Sequence, residues 1–246
     1  MVQTQFMVDQ LILKGELFLP DTSHPPLVVG SHGLEGSRFS AKQQVLSRLL
    51  PQNGIAFFRF DHRGCGDSQG DFIEETSLEK RTRDFLAAVS HARNLNVTSQ
   101  KLGVFGSSMG GATCINAWQT LEKKFGPLRG GVLCAAPLKS RTIQNIPVQG
   151  TEKRPELPLS FFKKNLLFDL TGQAAALHNV LVFHGDADPV VPVENARKLL
   201  EIMQPPKHGI IQKHGDHSMS SPVHQAEFET RTLDWFKQIF HRSDTA

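Results

Sequence analysis

Five short, almost unbroken apolar runs, separated by stretches of helical period, constrain this chain more than any other feature. LVVGSHG (27–33), IAFFRFD (55–61), KLGVFGSS (101–108), GVLCAAP (131–137) and NVLVFHGD (179–186) lack the polar alternation of a strand with one wet face. Such runs suit strands buried on both sides. Between them lie helical patterns at 41–50, at 78–95 with Phe85, Leu86 and Val89, at 109–125 and at 194–203. Strand alternating with helix predicts an α/β fold, a mostly parallel central sheet with helices on both faces. Two apolar runs within 4–19, closed by Pro20, predict an antiparallel hairpin at a sheet edge. Ser221 and Pro222, an N-cap followed by a first-turn proline, open a closing helix with Leu233, Phe236 and Phe240 on one stripe.

The regular alternation predicts a single domain over 1–246. One stretch, 138–178, breaks it: Pro147, Gly150, Pro155, Pro158 and Gly172 interrupt it and it has no clean period. A long patternless stretch inside a compact domain reads as a cap insertion over a functional site. Charge narrows the partners: 27 basic and 24 acidic residues are interspersed, so no basic stripe is left for a nucleic-acid backbone. The three cysteines, Cys65, Cys114 and Cys134, are odd in number and lack the C-x-x-C spacing of a metal or redox pair, which fits a reducing compartment. The first twenty residues have no basic start and are broken by Asp9, Lys14 and Glu16, so neither a signal peptide nor a membrane span is expected. A cytoplasmic protein that does not engage a membrane is expected, of an oligomeric state the sequence leaves open.

The sharpest chemical signal is Gly106-Ser107-Ser108-Met109-Gly110, a G-x-S-x-G that directly follows an apolar strand and directly opens a helix. In that context it predicts a nucleophile elbow with Ser108 raised above the sheet; the plainer reading is a glycine-rich turn that only packs. A serine hydroxyl needs a base and a group to orient that base. HGDADPVVP (184–192) offers Asp188, with Asp186 as its rival, and KHGDHSMSSP (213–222) offers His217, with His214 as its rival. The chain order Ser, Asp, His is the one expected when all three stand on loops at the carboxyl ends of a parallel sheet. The same cluster of His184, Asp186, Asp188, His214, Asp216 and His217 can also be read as metal ligands, although no Glu or Cys completes a familiar set. For the oxyanion, the amides of Met109 and Leu34 are the expected donors, with Gly33 giving the backbone freedom to turn the Leu34 amide inward. Ser37 in the same loop is a candidate cap for the next helix.

Together GSSMG, HGLEGS, DHRGCGDSQG, HGDADPVVP and GDHSM resemble the α/β-hydrolase superfamily over nearly the whole chain outside 138–178. The resemblance is nearest to serine esterases and acyl-peptidase-like members, including the monoacylglycerol lipase and cinnamoyl or feruloyl esterase types. It implies that Asp61 to Ser68, a D-x-R-G-x-G-x-S, is a structural turn near the pocket and that Cys65 is a rim residue. The elbow carries serine, not the cysteine of dienelactone hydrolases or the aspartate of dehalogenases and epoxide hydrolases. No tyrosine is present to supply the oxyanion donor of prolyl-oligopeptidase types.

The expected function is hydrolysis of carboxylic esters of small to medium acyl or aryl groups, through an acyl-enzyme on Ser108 and without cofactor or metal. A small-molecule ester is the expected partner. Thioesters, acyl-peptides and a non-catalytic ligand-binding role are the alternatives. Within the cap, Phe161 and Phe162 are candidate substrate contacts, with Lys163 and Lys164 expected to face water.

Overall fold

The computed structural model describes residues 1–145 and 156–241. Eight strands form one sheet: β1 (Val2–Val8), β2 (Leu11–Phe18), β3 (Leu27–Ser31), β4 (Ala56–Phe60), β5 (Leu102–Ser107), β6 (Gly130–Cys134), β7 (Val180–Gly185) and β8 (Lys207–Gln212). Their spatial order is β1-β2-β4-β3-β5-β6-β7-β8. β1 and β2 make the antiparallel edge hairpin, β2 runs antiparallel to β4, and every pairing from β4 to β8 is parallel. The helices are α1 (Ala41–Leu49), α2 (Phe72–Glu75), α3 (Leu78–Asn94), α4 (Met109–Phe125), α5 (Leu159–Asn165), α6 (Thr171–Ala174), α7 (Glu194–Ile202) and α8 (Pro222–His241). Among the described residues no helix is long and apolar enough to cross a membrane.

The unbroken runs are explained by two cores, one on each face. Successive strand residues point to opposite sides. Val29, Phe58, Val104, Leu133 and Val182 therefore join one core with Phe85 of α3, Trp118 of α4 and Leu199 of α7. Their neighbours Val28, Phe57, Phe105, Val132 and Leu181 join the other, with Leu46 of α1 and Phe228, Phe236 and Phe240 of α8.

Segment 138–178 leaves from β6 and is tied at its neck. Leu170 donates to the Leu138 carbonyl (2.9 Å), Ser140 donates to Phe168 (3.1 Å), and Lys139 bridges Asp169. Pro147, Gly150 and Pro155 lie outside the described residues. Ser37 does not cap α1: the N-cap position is Ser40, and the Ser37 hydroxyl accepts from the Phe39 amide.

Candidate active site

Between β5 and α4 a single residue, Ser108, reverses the chain. Its backbone stands at φ 54°, ψ −123°, a conformation that costs a non-glycine residue on the order of 1–3 kcal/mol and is held only where the surroundings enforce it. The Ser108 amide donates to the Cys134 carbonyl at the end of β6 (2.8 Å), and its carbonyl accepts from Gly111 (2.8 Å). A Cβ on Gly106 would lie 2.5 Å from the Gly110 oxygen, and one on Gly110 would lie 2.1 Å from the Ser31 oxygen. The glycines of G-x-S-x-G are thus required by the close approach of β3, β5 and α4.

The loops after β7 and β8 bring the other two side chains to the serine. His217 Nε2 lies 3.0 Å from Ser108 Oγ, and His217 Nδ1 lies 2.7 Å from Asp188 Oδ2. Asp188 Oδ1 accepts from the Val190 and Val191 amides (2.8 and 2.9 Å), so the carboxylate is fixed before any substrate arrives. Burial alone would raise the Asp188 pKa. Hydrogen bonds from His184 and His217 and from the Val191 amide outweigh it and hold the carboxyl well below the usual carboxylate range.

The rival residues have a different job. The Asp186 carboxylate accepts from the His214 backbone amide (2.5 Å), while Asp186 and Ala187 amides donate to Gln212 and Gly215. These bonds zip the two loops together, and neither the Asp186 nor the His214 side chain reaches the serine in this arrangement. Among the described residues, no three His, Cys, Asp or Glu side chains converge on a point that could hold a metal. His184, singled out in the sequence only as a possible ligand, is buried, donates from Nε2 to the Val191 carbonyl (2.7 Å), and lies 3.4 Å from Asp188 Oδ2. It braces the loop that carries Asp188. Its only sequence signal is its position at the end of an apolar strand.

Leu34 and Met109 both line the cavity with Ser108, and neither amide has a hydrogen-bond partner among the described residues. Gly33 serves differently from expectation. It has no left-handed backbone, and a Cβ there would touch Ser107 O and Ser108 Cβ at 3.6 Å, so what the glycine leaves is space beside the serine. The turn at 61–68 is structural: the buried Asp61 carboxylate accepts from the Arg38 amide (2.6 Å) and the Asp67 amide (3.0 Å) and pairs with the Arg38 guanidinium. Cys65 is not a rim residue. It is 6% exposed, sits under the loop with its sulfur 3.9 Å from the Leu34 carbonyl, and does not line the cavity. Burial pushes its thiol up to about 11.

Ser108 opens into a cavity of about 670 Å³. Leu34, Phe105, Met109, Val190 and Val191 supply apolar wall from the sheet side, and Ile143, Leu167 and Phe168 from segment 138–178. From α5 and its C-cap come Leu159, Phe162, Lys163 and Leu166, spaced i, i+3, i+4, i+7 on one helix face. This corrects the expectation for Phe161. At about 100° per residue, Phe161 falls on the side of the helix opposite this stripe. It is 3% exposed, stacked on Phe72 (centroids 5.9 Å), and anchors α5 to α2. Lys163 and Lys164 are exposed, as expected, and Lys163 also borders the cavity. Phe161→Ala should therefore cost about 3 to 5 kcal/mol of stability. Phe162→Ala, which removes a half-buried ring edge-on to Phe161 (centroids 5.2 Å), should lower the melting temperature less and also alter what the cavity accepts. Thermal melts of the two variants check this.

Residues 22–163, more than half of the chain, match the family described as serine aminopeptidase, S33. The chain belongs to this family. Its fold is that of the α/β-hydrolases: Est1E from Butyrivibrio proteoclasticus, solved with ferulic acid bound, superimposes with a TM-score of 0.82 at 19% identity, covering 97% of this chain and 100% of Est1E. In sequence the chain is 27% identical to the uncharacterized protein YfhR of Escherichia coli strain K12 over 205 residues, 81% of this chain and 67% of YfhR. It is 22% identical to a monoacylglycerol lipase of Mycolicibacterium smegmatis over 231 residues, 76% of this chain and 78% of the lipase. The chain is a hydrolase of this family.

Proposed function

We propose that the chain is a serine esterase that cleaves carboxylic esters of small to medium acyl or aryl groups. The observation that carries this reading is the continuous relay from Ser108 Oγ through His217 to Asp188, opening into an apolar cavity. Ser108 Oγ attacks the ester carbonyl while His217 Nε2 takes its proton. The carbonyl electron pair moves onto oxygen, which the Leu34 and Met109 amides receive. As the tetrahedral intermediate collapses, the alkoxide leaves with the proton from His217, and the acyl group stays on Ser108. Water, deprotonated by the same imidazole, then releases the acid and restores the hydroxyl. Asp188 holds the imidazole in the tautomer that keeps Nε2 free to accept. No cofactor enters any step.

The family description raises aminopeptidase activity, and the cavity's charges favour an ester. An aminopeptidase must receive a substrate ammonium. Among the described lining residues the carboxylate of Glu35 stands against Lys42, Arg141 and Lys163, a balance that repels a cation. The curated relative that is a monoacylglycerol lipase and the neighbour solved with ferulic acid support the ester reading. The three free thiols, all buried, support a cytoplasmic setting, and the inserted segment reads as a cap on a single domain.

The test is kcat/KM across p-nitrophenyl esters from acetate to octanoate. Each methylene that reaches the apolar wall should add about 0.8 kcal/mol, close to fourfold. The series should climb from acetate, and Phe162→Ala should move its peak to longer chains. A flat series, unmoved by Phe162→Ala, would show that this wall does not read the acyl group.

A further inference from the structure

One buried cation near the site takes no part in the relay. Arg81 lies on the apolar stripe of α3, three residues after Leu78 and four before Phe85, and is 1% exposed. Buried guanidinium groups are ordinarily paired with carboxylates. Among the described residues none lies within ion-pair distance of Arg81, and its Nε and Nη1 have no partner. Its Nη2 instead donates to two backbone carbonyls, those of His32 (2.5 Å) and Gly33 (3.2 Å).

The Gly33 carbonyl belongs to the same peptide unit as the Leu34 amide. In a trans peptide the C=O and N–H point in opposite directions within one plane, so whatever fixes the carbonyl also aims the amide. Two donors fix it. Arg81 approaches from α3, and His32 donates from Nδ1 (2.7 Å), its Nε2 being occupied as acceptor of the His62 amide (3.1 Å). His62 in turn meets Ser31 Oγ (2.9 Å) and Asp84 (3.4 Å), which ties the clamp to the end of β3. Beyond the peptide, the far end of the loop is held by Arg38 on Asp61.

We propose that Arg81 is the positioning residue of the oxyanion hole: it grips the Gly33 carbonyl and thereby points the Leu34 amide into the cavity beside Ser108. The inference rests on the serine esterase reading, because the clamp matters to rate only if an oxyanion forms there.

Arg81→Met and Arg81→Lys test it, with rates expressed per reactive site counted from the endpoint of fluorophosphonate labelling. Loss of one oxyanion donor costs about 100-fold or more in turnover, so Arg81→Met should lower kcat by about that factor. KM should stay within about threefold, because the ground-state ester does not need the donor. Affinity for an alkyl boronic acid, which becomes a tetrahedral anion on the serine, should fall in step with kcat. Arg81→Lys, which keeps the charge but not the fork, should recover part of the loss. If Arg81→Met does not fold, Arg81→Lys decides alone: a lowered kcat at retained KM supports the clamp, and wild-type kcat overturns it. Arg81→Met with wild-type kcat per site, or with its loss confined to KM, would also overturn the proposal while leaving the esterase intact. Wild-type protein without Ser108-dependent hydrolysis would end both.

Discussion

Ser108→Ala lowers kcat on the preferred ester by about 10⁶, because attack, proton transfer and the covalent intermediate all pass through one hydroxyl. Folding is unaffected or slightly improved, since alanine removes a hydroxyl and leaves the strained backbone in place. Ser107→Ala is the control. Ser107 is the last residue of β5, and its neighbour alone lies within reach of His217, so this variant keeps most of its activity. Steady-state rates of both variants, with melting curves beside them, measure the difference. Inactivation by Ser107→Ala with activity retained in Ser108→Ala would refute the elbow assignment.

The second large effect belongs to the relay. His217→Ala and Asp188→Asn each lower kcat by about 10³ to 10⁴. Asparagine cannot accept the Nδ1 proton as a carboxylate does, and it favours the tautomer that blocks Nε2. Asp186→Asn and His214→Ala stay within about tenfold, because the Asp186 bond to His214 uses the histidine's backbone amide. The pH dependence follows from Asp188. Its carboxyl is held well below the usual carboxylate range, so it stays ionised as the medium is acidified and adds no proton of its own to the acid limb. The acid limb of kcat/KM therefore has unit slope, set by one group and not two. A slope of two would mean that the carboxylate titrates with it.

Much of this architecture is legible in the sequence for one physical reason: a strand buried on both faces cannot carry polar residues in its middle. β3 to β7 announce themselves as unbroken apolar runs, and the helices between them by their period. The elbow is legible because close packing excludes any side chain at Gly106 and Gly110. Two aspartates and two histidines were equal in residue type and nearly equal in position. Only the loop geometry separates Asp188 and His217 from Asp186 and His214, through backbone hydrogen bonds that leave no compositional trace. Phe161 and Phe162 were indistinguishable for a similar reason, since an apolar pair does not say which member faces a cavity. Arg81 and His184 leave weaker signals still: a charged residue on an apolar stripe and a histidine ending an apolar run. Each donates to a backbone carbonyl, which every residue possesses.

Fluorophosphonate labelling followed by intact mass and peptide mapping tests the proposed nucleophile most directly. One adduct per chain is predicted, on Ser108, present in Ser107→Ala and absent from Ser108→Ala and from heat-denatured protein. An adduct on another residue, or none on folded wild-type protein that hydrolyses esters, would contradict a serine mechanism at the elbow.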